Sequence, residues 1–168
     1  MKQARDHRGE PLHTLVPLRI VWLLFGSLAL YGQALRVSSI AGAPGQTIAV
    51  EISLDAPPGK APATMKWETV FPAQLLQVEG DGPSPGSAAT ESGKSLTCAT
   101  PKAYSYVCIL AGGAKPVGNG PIATFRFRIR PEGRLGTATV TVEHAEAASV
   151  DAKTKLTLTD AEGSITIR

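Results

Sequence analysis

Pro121-Ile122-Ala123-Thr124-Phe125-Arg126-Phe127-Arg128-Ile129-Arg130 alternates apolar and polar side chains without a break from Thr124 to its end. A period of two sets Phe125, Phe127 and Ile129 on one face of a strand and Thr124, Arg126, Arg128 and Arg130 on the other. Wound at 3.6 residues per turn, the same order would scatter rings and guanidinium groups around a whole helix. The segment is therefore a half-buried strand, and its dry face requires a second layer.

The same alternation recurs on both sides. Residues 47–54 set Ile48, Val50, Ile52 and Leu54 against Thr47, Ala49, Glu51 and Ser53. Residues 64–71 set Met65, Trp67, Thr69 and Phe71 against Thr64, Lys66, Glu68 and Val70, and residues 136–142 set Thr137, Thr139 and Thr141 against Ala138, Val140 and Val142. Shorter apolar runs at residues 35–40, 75–78, 95–98, 104–110, 155–158 and 163–167 read as further strands. Breakers separate them: three prolines and a glycine in residues 55–62, a Gly-, Ser- and Pro-rich stretch at 80–94 that reads as a mobile surface loop, and four glycines in 111–120. The alanine-rich residues 143–151 suit a strand edge or one helical turn. About nine short strands, no amphipathic helix and no repeat predict a single all-β sandwich over residues 35–168.

Residues 1–34 belong to a different class. Lys2, Arg5, Arg8 and Arg19 precede the apolar run of residues 20–31, and Gly32-Gln33-Ala34 supplies small residues at the places a signal peptidase reads. The run is twelve residues long, whereas a helix needs about twenty to span a bilayer, so residues 1–34 are expected to be a signal peptide cleaved near Ala34. A retained membrane anchor is the alternative. In both cases the domain is exported, to the outside of the cell or the outer side of its envelope.

This segment holds four of the 17 basic and two of the 14 acidic side chains, so the domain carries a net charge of +1 where the whole chain carries +3. A nucleic-acid partner would need a concentrated basic surface that the domain lacks. The arginines at 126, 128 and 130 read as a solvated strand face that discourages aggregation. Cys98 and Cys108 flank a turn in the exported part, where a disulfide can form. Closing so short a loop would stabilise the fold by about 2–3 kcal/mol.

Catalytic patterns are missing. Two of the three histidines, His7 and His13, lie in residues 1–34, leaving His144 with no serine in a nucleophile turn. The carboxylates are spread singly, without a calcium loop, and two cysteines without histidines make at best half a zinc site. The expectation is a non-enzyme with no cofactor and no metal.

Four segments taken together resemble the cohesin domain: Ala-Gly-Ala-Pro-Gly-Gln-Thr-Ile-Ala-Val-Glu-Ile-Ser-Leu at 41–54, Met-Lys-Trp-Glu-Thr-Val-Phe-Pro-Ala-Gln-Leu-Leu-Gln-Val at 65–78, Gly-Pro-Ile-Ala-Thr-Phe-Arg-Phe-Arg-Ile at 120–129, and Gly-Ser-Ile-Thr-Ile at 163–167. The resemblance implies a nine-stranded jelly-roll β-sandwich of two antiparallel sheets. It also implies that one flat sheet face binds dockerins, the calcium-loaded modules carried by polysaccharide-degrading enzymes. By order, residues 64–71, the hairpin between Cys98 and Cys108, and residues 136–142 look like strands of that binding sheet, with residues 121–130 in the opposite one. The resemblance thus points to Lys66, Glu68, Tyr104, Tyr106, Thr139 and Thr141 as partner-facing residues, the alternation leaving the facing of the two tyrosines open.

The expected function is accordingly a non-catalytic, exported cohesin-like module that binds a dockerin-type protein in polysaccharide degradation or surface assembly. A carbohydrate-binding module, which would take a polysaccharide on a row of aromatics, and an envelope adhesion or assembly subunit are the alternatives. Contact with a membrane is expected only through residues 1–34, if they are retained.

Overall fold

The computed structural model describes residues 33–151 and 153–168, so of the expected leader only Gln33 and Ala34 are among the described residues. Twelve strands and one short helix follow in the order β1 (Ala34–Val37), β2 (Ile40–Gly42), β3 (Thr47–Asp55), β4 (Thr64–Val70), β5 (Leu76–Val78), β6 (Ser84–Pro85), α1 (Ser87–Glu91), β7 (Ser95–Lys102), β8 (Ser105–Ala111), β9 (Gly120–Ile129), β10 (Gly136–Ala148), β11 (Lys155–Thr157) and β12 (Ala161–Ile167). They form two sheets. One runs β1-β3-β9-β5 with β6 also on β9, and the other runs β2-β12-β10-β4-β8-β7 with β11 also on β10.

The arginine-bearing strand β9 is central to the smaller sheet, as its alternation requires. Phe125, Phe127 and Ile129 are fully buried, while Arg126 and Arg128 are exposed. Phe127 meets Phe125 at 5.6 Å and Phe71 at 5.1 Å between ring centroids, and Tyr106 approaches Phe125 edge-on at 5.7 Å from the other sheet. Trp67 is also fully buried, its indole N–H donating to the Thr69 hydroxyl at 3.1 Å. Each such side chain contributes on the order of 2–3 kcal/mol by leaving water.

Several expectations need correcting. The strand expected over residues 35–40 is two strands, β1 and β2, one in each sheet. The two serines between them make the switch. Ser38 exchanges bonds with Glu51 of the smaller sheet through its backbone N–H and its hydroxyl, both at 2.9 Å, and the Ser39 hydroxyl accepts the Ser164 N–H of the larger sheet at 3.0 Å. Nor are the sheets wholly antiparallel, because β2 runs parallel to β12.

Residues 80–94, expected to be a mobile loop, contain β6 and α1. Ala88 and Ala89 of the helix are buried, and a Cβ at Gly86 would lie 2.4 Å from the Pro121 carbonyl, so only glycine admits this approach. At the end of this stretch the buried Lys94 ammonium donates to the Gly112 carbonyl at 2.6 Å and to that of Gly113 at 3.2 Å, tying down the loop that precedes β9. Finally, β10 runs past residue 142 to Ala148 in a single strand, so residues 143–148 are neither an edge nor a helical turn.

Candidate docking face

Strands β10, β4, β8 and β7 lie side by side, so the segments expected to share the binding sheet do share one, with β9 in the other. Alternation on β4 turns Met65, Trp67 and Thr69 inward and leaves Thr64, Lys66, Glu68 and Val70 on the outer face. The register carries that face across to neighbouring strands. Glu143, Glu68, Val107 and Ala99 form one row; Glu146, Lys66, Ile109 and Thr97 form the next.

Glu143 and Glu146 are an odd number of residues apart, and a regular strand would send them to opposite faces. A β-bulge restores them to one side. His144 and Ala145 together oppose Trp67, His144 adopting φ = +53° with its side chain exposed while Ala145 is buried. The extra residue explains why the inward positions change from even numbers, at Val140 and Val142, to odd ones, at Ala145 and Ala147.

The middle of the face is apolar. Ile109 is 45% exposed, and Val107 and Val70 are half-buried. Beside Ile109, Lys66, Glu146 and Lys155 border a shallow groove. The Lys155 ammonium donates to Glu146 Oε1 at 2.8 Å. That hydrogen bond and its charge hold the Glu146 carboxyl below the ordinary glutamate range, with smaller contributions from the charges of Lys66 and His144. Glu68 and Glu143 lie directly opposite each other and neither enters an ion pair among the described residues. Glu143 only accepts a hydrogen bond from the Thr141 hydroxyl, at 3.1 Å. No group of three or more His, Cys, Asp or Glu side chains is placed to hold a metal ion among the described residues.

The six residues named from sequence fall in four places. Lys66 and Glu68 lie in the middle of the face, on β4. Thr139 is exposed and Thr141 half-buried further along β10, the first opposite Ser164 and the second between Glu162 and Val70. Tyr104 is exposed at the tip of the β7–β8 turn, where the Lys102 ammonium sits 5.5 Å from its ring centroid. Tyr106 is not solvent-facing: it shares the inward parity of Cys108 and Leu110, and its ring packs on Phe71 and Phe125. Cys98 and Cys108 are bonded across a directly opposed pair, with Cα atoms 4.1 Å apart, so the staple joins the edge strand of this face to its neighbour. Sequence reasoning missed Val107, Ile109, Glu143 and Glu146. No signal in the sequence assigns the facing of β8, since residues 106–110 are apolar on both sides apart from the cysteine.

No family model matches the chain, and no curated protein matches it. Solved structures do. The sixth cohesin of scaffoldin B from Acetivibrio cellulolyticus, solved in complex with a Cel5 dockerin, superposes with a TM-score of 0.70 at 16% identity over 82% of this chain and 99% of its own. The OlpA cohesin of Clostridium thermocellum, solved with the dockerin Doc918, gives 0.70 at 17% identity over 82% and 99%. A non-cellulosomal cohesin from the archaeon Archaeoglobus fulgidus gives 0.68 at 14% over 82% and 91%. With identities this low the likeness is one of architecture, and the architecture of the chain is a cohesin-like β-sandwich.

Proposed function

We propose that the outer face of β10, β4, β8 and β7 docks a dockerin-type protein module, and that the chain acts as a non-catalytic, exported binding subunit in polysaccharide degradation or surface assembly. One observation carries this reading: on the cohesin-like sandwich, this face sets the exposed Ile109 and the half-buried Val107 beside the charged side chains of Lys66, Glu68, Glu143 and Glu146. Interfaces of this kind have an apolar middle that excludes water and a polar rim that sets register. Export rests on the pattern of residues 1–34, and the mass of the secreted product tests it.

Titration calorimetry of the full chain with calcium-loaded dockerin modules encoded in the same genome should give saturable one-to-one binding, lost in Ile109→Asp. Silence against every such module would overturn the proposal. Polysaccharide binding has less support, because Tyr104 is the only largely exposed aromatic ring among the described residues.

A further inference from the structure

The two sheets end in strands of unequal kind. Three of the outermost strands, β1, β2 and β5, are four, three and three residues long, whereas β7 has eight residues and no strand on its outer side among the described residues. Short length, charge, proline and irregular register are the devices that keep an edge from pairing with another chain. The far end of β7 has them, with Pro101 inside a register shift between Ala99 and Lys102. Its first half does not: Ser95-Leu96-Thr97-Cys98-Ala99 contains neither a charge nor a proline and keeps a regular register with β8.

Two observations show which backbone groups this edge presents. Cys98 and Cys108 face each other with Cα atoms 4.1 Å apart. An antiparallel pair that exchanges no backbone hydrogen bonds is spaced at about 4.5 Å, and one that exchanges both at about 5.5 Å. On the other side of β8, the Phe71 N–H donates to the Tyr104 carbonyl at 3.0 Å, so the backbone groups of Tyr106, Cys108 and Leu110 turn to β4 and those of Val107, Ile109 and Ala111 turn to β7. Ser95, Thr97 and Ala99 therefore bond β8, and the N–H and C=O groups of Leu96 and Cys98 point out of the sheet. Just before them, the Lys94 N–H is already taken by the Ala89 carbonyl at 2.9 Å.

An edge of this form is complementary to itself. A half-turn about an axis through Thr97, normal to the sheet, lays Leu96 of each copy against Cys98 of the other, and each of these pairs exchanges both its bonds. On the outer face Thr97 then meets Thr97 and Ser95 meets Ala99, so no like charges oppose each other. On the inner side Leu96, half-buried and packed against the core, loses its remaining contact with water. We infer that two copies of the chain pair antiparallel through the first half of β7, joining their larger sheets into one. Because the axis is normal to the sheet, the outer faces of the two larger sheets point the same way, and a partner of that face is offered two sites side by side. The inference rests on the edge and is independent of what the face binds. With so short a contact the dimer is weak and forms as concentration rises.

The test uses the isotopically labelled full chain over a series of concentrations. Sedimentation should follow a monomer–dimer equilibrium. As the dimer fills, hydrogen exchange at the amides of Leu96 and Cys98 should slow about tenfold, while Thr97 and Ala99, already bonded to β8, change little. Thr97 is exposed, so replacing it leaves the fold intact, which the amide spectrum checks. Thr97→Lys sets like charges against each other at the axis and should weaken association about tenfold, and Thr97→Glu should do the same. An equimolar mixture of the two variants should associate again, because lysine then meets glutamate. A chain that stays monomeric at every concentration, association that leaves Leu96 and Cys98 unprotected, or a mixture that associates no better than either variant alone would overturn the inference.

Discussion

His144 takes a left-handed backbone conformation that most side chains resist, at φ = +53°, and the placement of Glu143 and Glu146 on one face depends on it. Replacing it by glycine should leave stability unchanged or raise it by up to about 1 kcal/mol, and replacing it by valine should lower it by about 1–2 kcal/mol, read as shifts in the urea midpoint. The residue was hard to identify in advance because its signature is a change of parity from valines to alanines, and alanine marks an inward face weakly. Tyr106 was illegible for the opposite reason, with apolar residues on both sides of its strand. Glu146 offers a titration. Its folded carboxyl ionises below the ordinary glutamate range, so the ion pair's stabilisation is complete above that range and is lost as pH falls through the lowered value. Lys155→Met should move the Glu146 midpoint upward in a side-chain carbonyl NMR titration, narrowing the pH window over which it protonates in the folded and unfolded chains.

Among the elements, β9 could be read in full because one face is aromatic and the other arginine, and the alternation needs no context. The helix α1 could not, since five residues are too few to show a period. β1 and β2 were merged because nothing in their composition marks the two serines as a change of sheet. The β7–β8 hairpin lies between these cases: its pairing and staple follow from the cysteines, while the facing of its side chains does not. Replacing both Cys98 and Cys108 by alanine should lower stability by about 2–3 kcal/mol in denaturant titrations, through the freedom returned to the unfolded loop. Because β7 is the last strand of its sheet, amide exchange in residues 95–99 should accelerate more than in β4 or β10.

At the scale of the whole molecule, the two layers were legible because an alternating strand with one dry face must find another. The candidate docking face was legible only in part: Lys66 and Glu68 could be named from their strand, whereas Val107, Ile109, Glu143 and Glu146 join them only through the strand register. The strap formed by β1 and β2 depends on a glycine: a Cβ at Gly163 would lie 2.6 Å from both the Ser38 carbonyl oxygen and Val37 Cγ1. Gly163→Ala should therefore lower stability by about 1–3 kcal/mol in thermal melts, with β2 separating first. Ser39 and Ser164, which join across this crossing, are 125 residues apart in the chain. A polypeptide emerging from the ribosome cannot make that junction until β12 has been synthesised, so the early strands wait with their apolar sides wet. Newly made chains would be most exposed to mispairing and to chaperones during that interval, and a nascent chain stalled before β12 should be far more sensitive to protease than one in which β12 has emerged.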